Sequence, residues 1–200
     1  MEEKNTIIFL ANRLLNYEAV KPRIRSSLIN SSNLKEKQAK APVCADVWKT
    51  WFIELPSSKD EKTVVYIGND LLVKWGKTVD DIDAAARENE QGTSTIMNMG
   101  ELLGVSRVLF EMYIATNLEG WNGATAILDS TVQKQLDEMF PDGYAVLPSS
   151  VHEVIALPVD AAVNSCEIVK YINRTDLVKE KEFLSDHVFQ VKDGHFSVLV

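Results

Sequence analysis

Cysteine is scarce in this chain of 200 residues: Cys44 and Cys166 lie far apart and in no Cys-x-x-Cys spacing. A disulfide framework and a zinc site are therefore unsupported, and a reducing cytoplasm is the compartment that fits. Long apolar runs are missing too. The first, Ile7 to Ala11, is too short and wrongly flanked for a signal peptide or a membrane span, and no later stretch approaches spanning length, so no membrane association is expected. Histidine is limited to His152, His187 and His195, and neither His-Glu-x-x-His nor a calcium loop occurs, so no metal site is expected. The Gly-x-Ser-x-Gly elbow is absent, as are the Lys-Ser/Thr ending of a phosphate loop and a three-glycine dinucleotide fingerprint. No cofactor is implied.

What is present is a composition of 46% hydrophobic and 25% charged residues, that of a soluble globular protein with a sizeable core. The net charge of -8 is unevenly spread. Residues 19 to 41 carry Lys21, Arg23, Arg25, Lys35, Lys37 and Lys40 against Glu36, a net of +5 that leaves -13 on the remainder. Such an arm reads first as a solvated linker, with Lys35, Lys37 and Lys40 as its candidate contacts to an acidic partner or nucleic acid. Nucleic acid is otherwise not expected. As a mimic of DNA the acidic body is weak, since duplex carries a charge about every 1.7 Å.

Ile7, Leu10, Ala11, Leu14 and Leu15 recur at helical spacing and predict an amphipathic helix over residues 5–17. Pro22 and Asn30-Ser31-Ser32-Asn33 break regular structure, and Lys35 to Lys40 reads as a linker or short exposed helix. From Val43 to Leu55 the period is two, which predicts a strand, and the turn Pro56 to Asp60 leads into a second strand, Thr63 to Ile67. Asn69 is a candidate N-cap for a helix closed by a left-handed Gly76, and Thr78-Val79-Asp80-Asp81 opens another with Val79, Ile82 and Ala86 buried. Residues 93–111 have no clean period. Met112 to Thr116 predicts a strand, and Ser130-Thr131-Val132-Gln133 opens a helix with Val132, Leu136, Met139 and Phe140 on its buried stripe. Tyr144 to Leu147 and Glu153 to Leu157 predict strands, Ala161 to Arg174 a helix, and Asp193-Gly194 the turn of a closing hairpin. This order predicts an α+β fold with a mixed, mainly antiparallel sheet, divided into a helix and basic arm over residues 1–41 and one domain over 42–200.

The sharpest enzymatic constellation is Ser150, His152 and Glu153, a nucleophile, base and carboxylate in four residues. Strand geometry opposes it: residues two apart have Cα atoms about 6.6 Å apart, and Glu153 would point to the opposite face. The bland reading has Ser149 and Ser150 satisfying a turn while His152 bonds a neighbouring element. A metal could be held by His152, Glu153, Asp186 and His187 if the two segments met, but nothing in their spacing requires it. Of the four tryptophans, Trp48, Trp51, Trp75 and Trp121, only Trp121 falls in an expected loop, Gly120-Trp121-Asn122-Gly123, so Trp121 and Asn122 are the candidate ligand or partner surface.

Three motifs, Asn69-Asp70-Leu71-Leu72 with Trp75-Gly76, Leu147-Pro148-Ser149-Ser150 with His152-Glu153-Val154, and Leu184-Ser185-Asp186, resemble a family of uncharacterised bacterial proteins from about Thr63 to the C-terminus. The resemblance implies a small cytoplasmic accessory protein, often associated with mobile elements, and supplies no catalytic residue. The expected function is thus a non-enzymatic interaction protein that binds another macromolecule. The alternative is a hydrolase or metal-dependent enzyme centred on Ser150, His152 and Asp186.

Overall fold

A computed structural model describes residues 13–56, 62–104, 110–162, 167, 169, 170, 173 and 178–199. Most of the helix expected over residues 5–17, most of that over 161–174, and Cys166 lie outside the described residues. The protein has an α+β fold in which antiparallel strands are interspersed with helices. Among the described residues no helix is long and apolar enough to cross a membrane.

The chain divides into two compact units, each drawn from several stretches of the sequence. The first holds the chain up to Ser26, Lys35–Ala41 and Thr50–Gln91; the second holds Ser27–Leu34, Pro42–Lys49 and the chain from Gly92 onward. Strands β1 (Ile24–Asn30), β2 (Lys40–Cys44) and β3 (Val47–Leu55) have residues in both and bond in the order β1-β3-β2, while β4 (Thr63–Tyr66) also pairs with β3. The single extended segment expected from Val43 to Leu55 is in fact a hairpin, because Ala45 adopts a left-handed φ of 47° and turns the chain. An Ala-Asp turn carries none of the Asn-Gly chemistry that betrays such turns in sequence.

In the first unit, Ile53, Ile67 and Ile82 are wholly buried with Trp51 and Ala86, each isoleucine contributing about 1.5–3 kcal/mol by leaving water. The buried indole N–H of Trp51 donates to Asp83 at 3.1 Å. Helix α1 (Tyr17–Val20) precedes β1, and α2 (Asn69–Trp75) ends as expected on left-handed Gly76, whose N–H bonds the carbonyls of Leu72 and Val73. Its N-cap is Gly68 rather than Asn69. Helix α3 (Val79–Glu90) opens on a reciprocal capping box between Thr78 and Asp81, and Ile82, Ala85 and Ala86 form its buried stripe.

The expected linker at Lys35–Lys40 is part of this unit. Gln38 and Ala39 are buried; Ala39 N–H bonds the Ile67 carbonyl at 2.9 Å and Asn69 N–H bonds the Lys37 carbonyl at 2.8 Å. Strand β1, flanked by cations and by a polar run, buries Ile24 and Leu28.

The second unit is built on a six-stranded antiparallel sheet of β5 (Ser94–Asn98), β6 (Tyr113–Asn117), β7 (Tyr144–Leu147), β8 (Val154–Pro158), β9 (Phe189–Lys192) and β10 (His195–Val198), in the order β10-β9-β7-β8-β6-β5. Helix α4 (Met99–Leu102) follows β5, and α5 (Ser130–Met139) buries Val132 and Leu136 in a core shared with Tyr144, Val146, Val154 and Phe189. Two expectations for α5 change. Asp129, not Ser130, caps it by accepting the Thr131 N–H at 2.8 Å, and Met139 is 44% exposed instead of buried. At the closing hairpin, Asp193 and Gly194 both take positive φ, 50° and 74°, as a two-residue turn of this hand requires.

Candidate functional site

The Ser149–Glu153 segment is the connection between β7 and β8, and it is a turn rather than strand. Ser150 Oγ accepts the backbone N–H of His152 at 3.0 Å, and Ser150 N–H donates to the Glu153 carbonyl at 3.1 Å. The serine hydroxyl therefore serves its own turn. His152 Nδ1 accepts the backbone N–H of Asn122 at 3.1 Å, which makes Nε2 the protonated nitrogen of the neutral ring. Nε2 faces Glu182 Oε1 at 3.9 Å, and Lys179 Nζ reaches the same oxygen at 3.3 Å. A serine nucleophile needs the unprotonated nitrogen, and that one is occupied.

The facing loop is built to receive this turn. Asn122 has φ 50° and ψ 30°, a left-handed conformation that asparagine tolerates, and its Oδ1 accepts the Ser27 hydroxyl at 3.2 Å. Thr116 Oγ1 donates to the His152 carbonyl at 2.8 Å, and Ala124 N–H bonds the Val151 carbonyl at 3.2 Å. Gly123 lies between them: a Cβ there would sit 2.6 Å from Asn117 N and 2.7 Å from the His152 carbonyl oxygen, and would meet Thr116 Oγ1 closer still. Asn122, expected on an open surface, is thus buried, and Trp121 is half-buried with its backbone N–H and carbonyl bonded to the Asn117 side chain.

The Leu184-Ser185-Asp186 motif is likewise a clasp. Wholly buried Ser185 donates its hydroxyl to Asp46 Oδ1 at 2.6 Å and accepts the His187 N–H at 3.0 Å. The buried Asn30 amide donates to Asp46 Oδ2 at 2.7 Å and to the Leu184 carbonyl at 2.9 Å. Asp186 Oδ1 takes the Asn173 amide at 2.9 Å, and the His187 ring packs 6.4 Å from that of Phe189. Among the described residues no group of three or more His, Cys, Asp or Glu side chains is arranged to hold a metal ion. Asn30, Asp46, Thr116, Gly123 and Glu182 were not picked out by sequence as partners of these motifs. Only Gly123, the second glycine of a Gly-x-x-Gly loop, carried a hint.

Among the described residues, the gap in the core of the second unit is small. The gap bounded by Leu28, Cys44, Ile127, Val154 and Phe189 measures about 10 Å³, room for one water at most. Cys44 is a free thiol whose pKa is pushed up by burial, so it is a poor nucleophile. Lys35, Lys37 and Lys40 are exposed, on the first unit.

An open feature lies at one end of the strand order. Strand β5 is its terminal strand, and no described strand pairs with the outer side. Bonds from Leu118 N–H to Thr93 and from Met99 N–H to Met112 fix the register, so Thr95 and Met97 exchange bonds with β6 while the N–H and C=O of Ser94 and Ile96 face outward. Beside it Ile96, Tyr113, Gln135, Glu138 and Met139 line a depression of about 360 Å³. Leu118 at one end of the strand, and Leu102 and Leu103 at the other, are 73, 60 and 66% exposed.

No curated protein and no solved structure matches the chain. A family model does, and its match takes in the N-terminal sixty residues that the three motifs do not cover. Over residues 1–192 the chain matches the family of unknown function designated DUF5688, and it belongs to that family.

Proposed function

We propose that this protein is a non-enzymatic accessory that binds another macromolecule, a protein, along the β5 edge. The observation that supports it is the open edge itself. Ser94 and Ile96 turn four backbone groups outward, and three leucines more than half exposed bracket them. Single exposed leucines are ordinary, but an edge that no described strand pairs, and that carries no lysine, proline or bulge, is a liability that proteins normally guard. The edge of β1 is guarded in this way: Glu90 takes both the backbone N–H and the hydroxyl of Ser26, at 2.5 and 2.8 Å. Hydrolysis at Ser150 and His152 draws less support, because both groups already accept backbone N–H donors. A cytoplasmic setting belongs to this reading and rests on the scarcity of cysteine and the free thiol of Cys44.

The test is a photo-crosslinking amino acid introduced at Leu103, at Leu118 and, as control, at Val73, which is 80% exposed on the first unit. Discrete adducts at the two leucines and none at Val73 are expected in cells of the native host. Equal adducts at all three positions, or none, would overturn the proposal.

A further inference from the structure

We infer that the β5 edge takes an extended, basic segment of another protein as an added strand; the inference rests on the binding function proposed above and names its partner's chemistry. Strand addition needs outward backbone groups at every second residue, a place for the side chains that alternate with them, and an edge that rejects its own copies. The first is met by Ser94 and Ile96.

The second is met by the depression. Ser94, Ile96 and Asn98 share a sheet face with Asn117, Ala115 and Tyr113, their partners in register, because side chains alternate along a strand. Ile96 and Tyr113 line the 360 Å³ hollow together with Met139, Gln135 and Glu138 of α5. A strand laid beside Ile96 would set one side chain of every two on the face that carries this hollow. Its lining of Ile96, Tyr113 and Met139 suits an apolar side chain, and Glu138 and Gln135 suit a polar or cationic neighbour.

Charge selects the occupant. Glu111 accepts the Asn98 amide at 2.5 Å, Glu101 N–H is capped by Asn98 Oδ1, Glu119 follows the Leu118 that bonds Thr93, and Glu138 lines the hollow. Among the described residues, the ionisable side chains named in these contacts are acids. In a two-fold antiparallel pairing of β5 with a second copy, the Glu119 end of one strand would meet the Glu101 and Glu111 end of the other, and like charges facing across strands are unfavourable. A lysine- or arginine-bearing strand from a different protein reverses that sign.

The experiment is a selection of random twelve-residue peptides, displayed on phage, against the full-length protein. Two variants block the edge. Ile96→Pro removes an outward donor while leaving the β6 ladder intact, and Ser94→Pro does so at the first residue of the strand, where proline is tolerated if Ile96→Pro fails to fold. Val198→Pro makes the same change at the other terminal strand, β10. Enriched peptides should alternate apolar residues with an excess of lysine and arginine, lose at least tenfold in affinity on Ser94→Pro or Ile96→Pro, keep their affinity on Val198→Pro, and slow amide exchange at Ser94 and Ile96. Acidic peptides, peptides indifferent to both edge variants, no enrichment, or a β5-dependent homodimer in sedimentation would each overturn the inference. Any of these with crosslinks retained at Leu103 and Leu118 ends strand addition and leaves the binding function standing. Loss of the crosslinks as well ends both.

Discussion

Replacing Gly123 with alanine should destabilise the loop clasp. The new Cβ would lie 2.6 Å from Asn117 N and 2.7 Å from the His152 carbonyl oxygen, where ordinary contact begins near 3.4 Å. Two backbone segments would each have to retreat by roughly 0.7–0.8 Å, and neither can rotate away as a side chain can. Over-packing of this kind costs about 1–3 kcal/mol. Retreat of the His152 turn also strains the bonds from Asn122 N–H to His152 Nδ1, 3.1 Å, and from Ala124 N–H to the Val151 carbonyl, 3.2 Å, each contributing about 1 kcal/mol. Alanine restricts the unfolded chain and returns about 0.4–1 kcal/mol. The net loss is about 2–4 kcal/mol, or roughly 5–15 °C in the melting transition of a chain this size. Calorimetry with urea unfolding measures it, the second transition being assigned by Trp121 fluorescence if the two units melt separately. Adding Thr116→Ala should recover little, since it removes only the side-chain clash. A Gly123→Ala protein within 0.5 kcal/mol of the parent would refute the packing argument.

The wholly buried Tyr144 hydroxyl has no hydrogen-bond partner among the described residues, so Tyr144→Phe should be neutral or stabilising by up to about 1 kcal/mol in urea melts at pH 8. Burial first, and the charge of Asp137 second, raise its pKa above 10.0; the stability linked to it is complete below that value and is lost as pH rises through it, so the phenylalanine variant should lose less between about pH 10 and 12. His152→Ala orphans the Asn122 N–H and should cost about 1–3 kcal/mol, with partial rescue by His152→Gln; an unchanged melting curve would show that the imidazole is not the clasp described. Asp81 is held below its usual pKa by the backbone N–H of Thr78 and then by its hydroxyl, so its contribution is present above 3.8 and disappears as pH falls through the lowered value. Asp81→Asn should therefore flatten the acid limb of stability below about pH 4, and an acid limb as steep as the parent's would contradict it.

Local signals were legible wherever one residue's own chemistry decides the backbone. Gly76 ends α2, the Thr78–Asp81 box opens α3, Asp193-Gly194 turns the last hairpin, and the period of two carries β3 to its pairing with β4. The sites depended on partners far away in sequence. Ser185 and Asp46 are 139 residues apart, and Asn30 and Leu184 are 154 apart, so no spacing rule could announce them. Ser150 and His152 match a hydrolase in residue type; the Ser150 hydroxyl is engaged locally by the His152 N–H, whereas the partners of the His152 ring, Asn122 and Glu182, are each 30 residues away and come from tertiary structure. The open edge was hidden for a related reason: whether Ser94 and Ile96 bond a neighbour or face outward depends on which strand ends the sheet, and strand order is a property of non-local pairing that residues 94–98 do not encode by themselves.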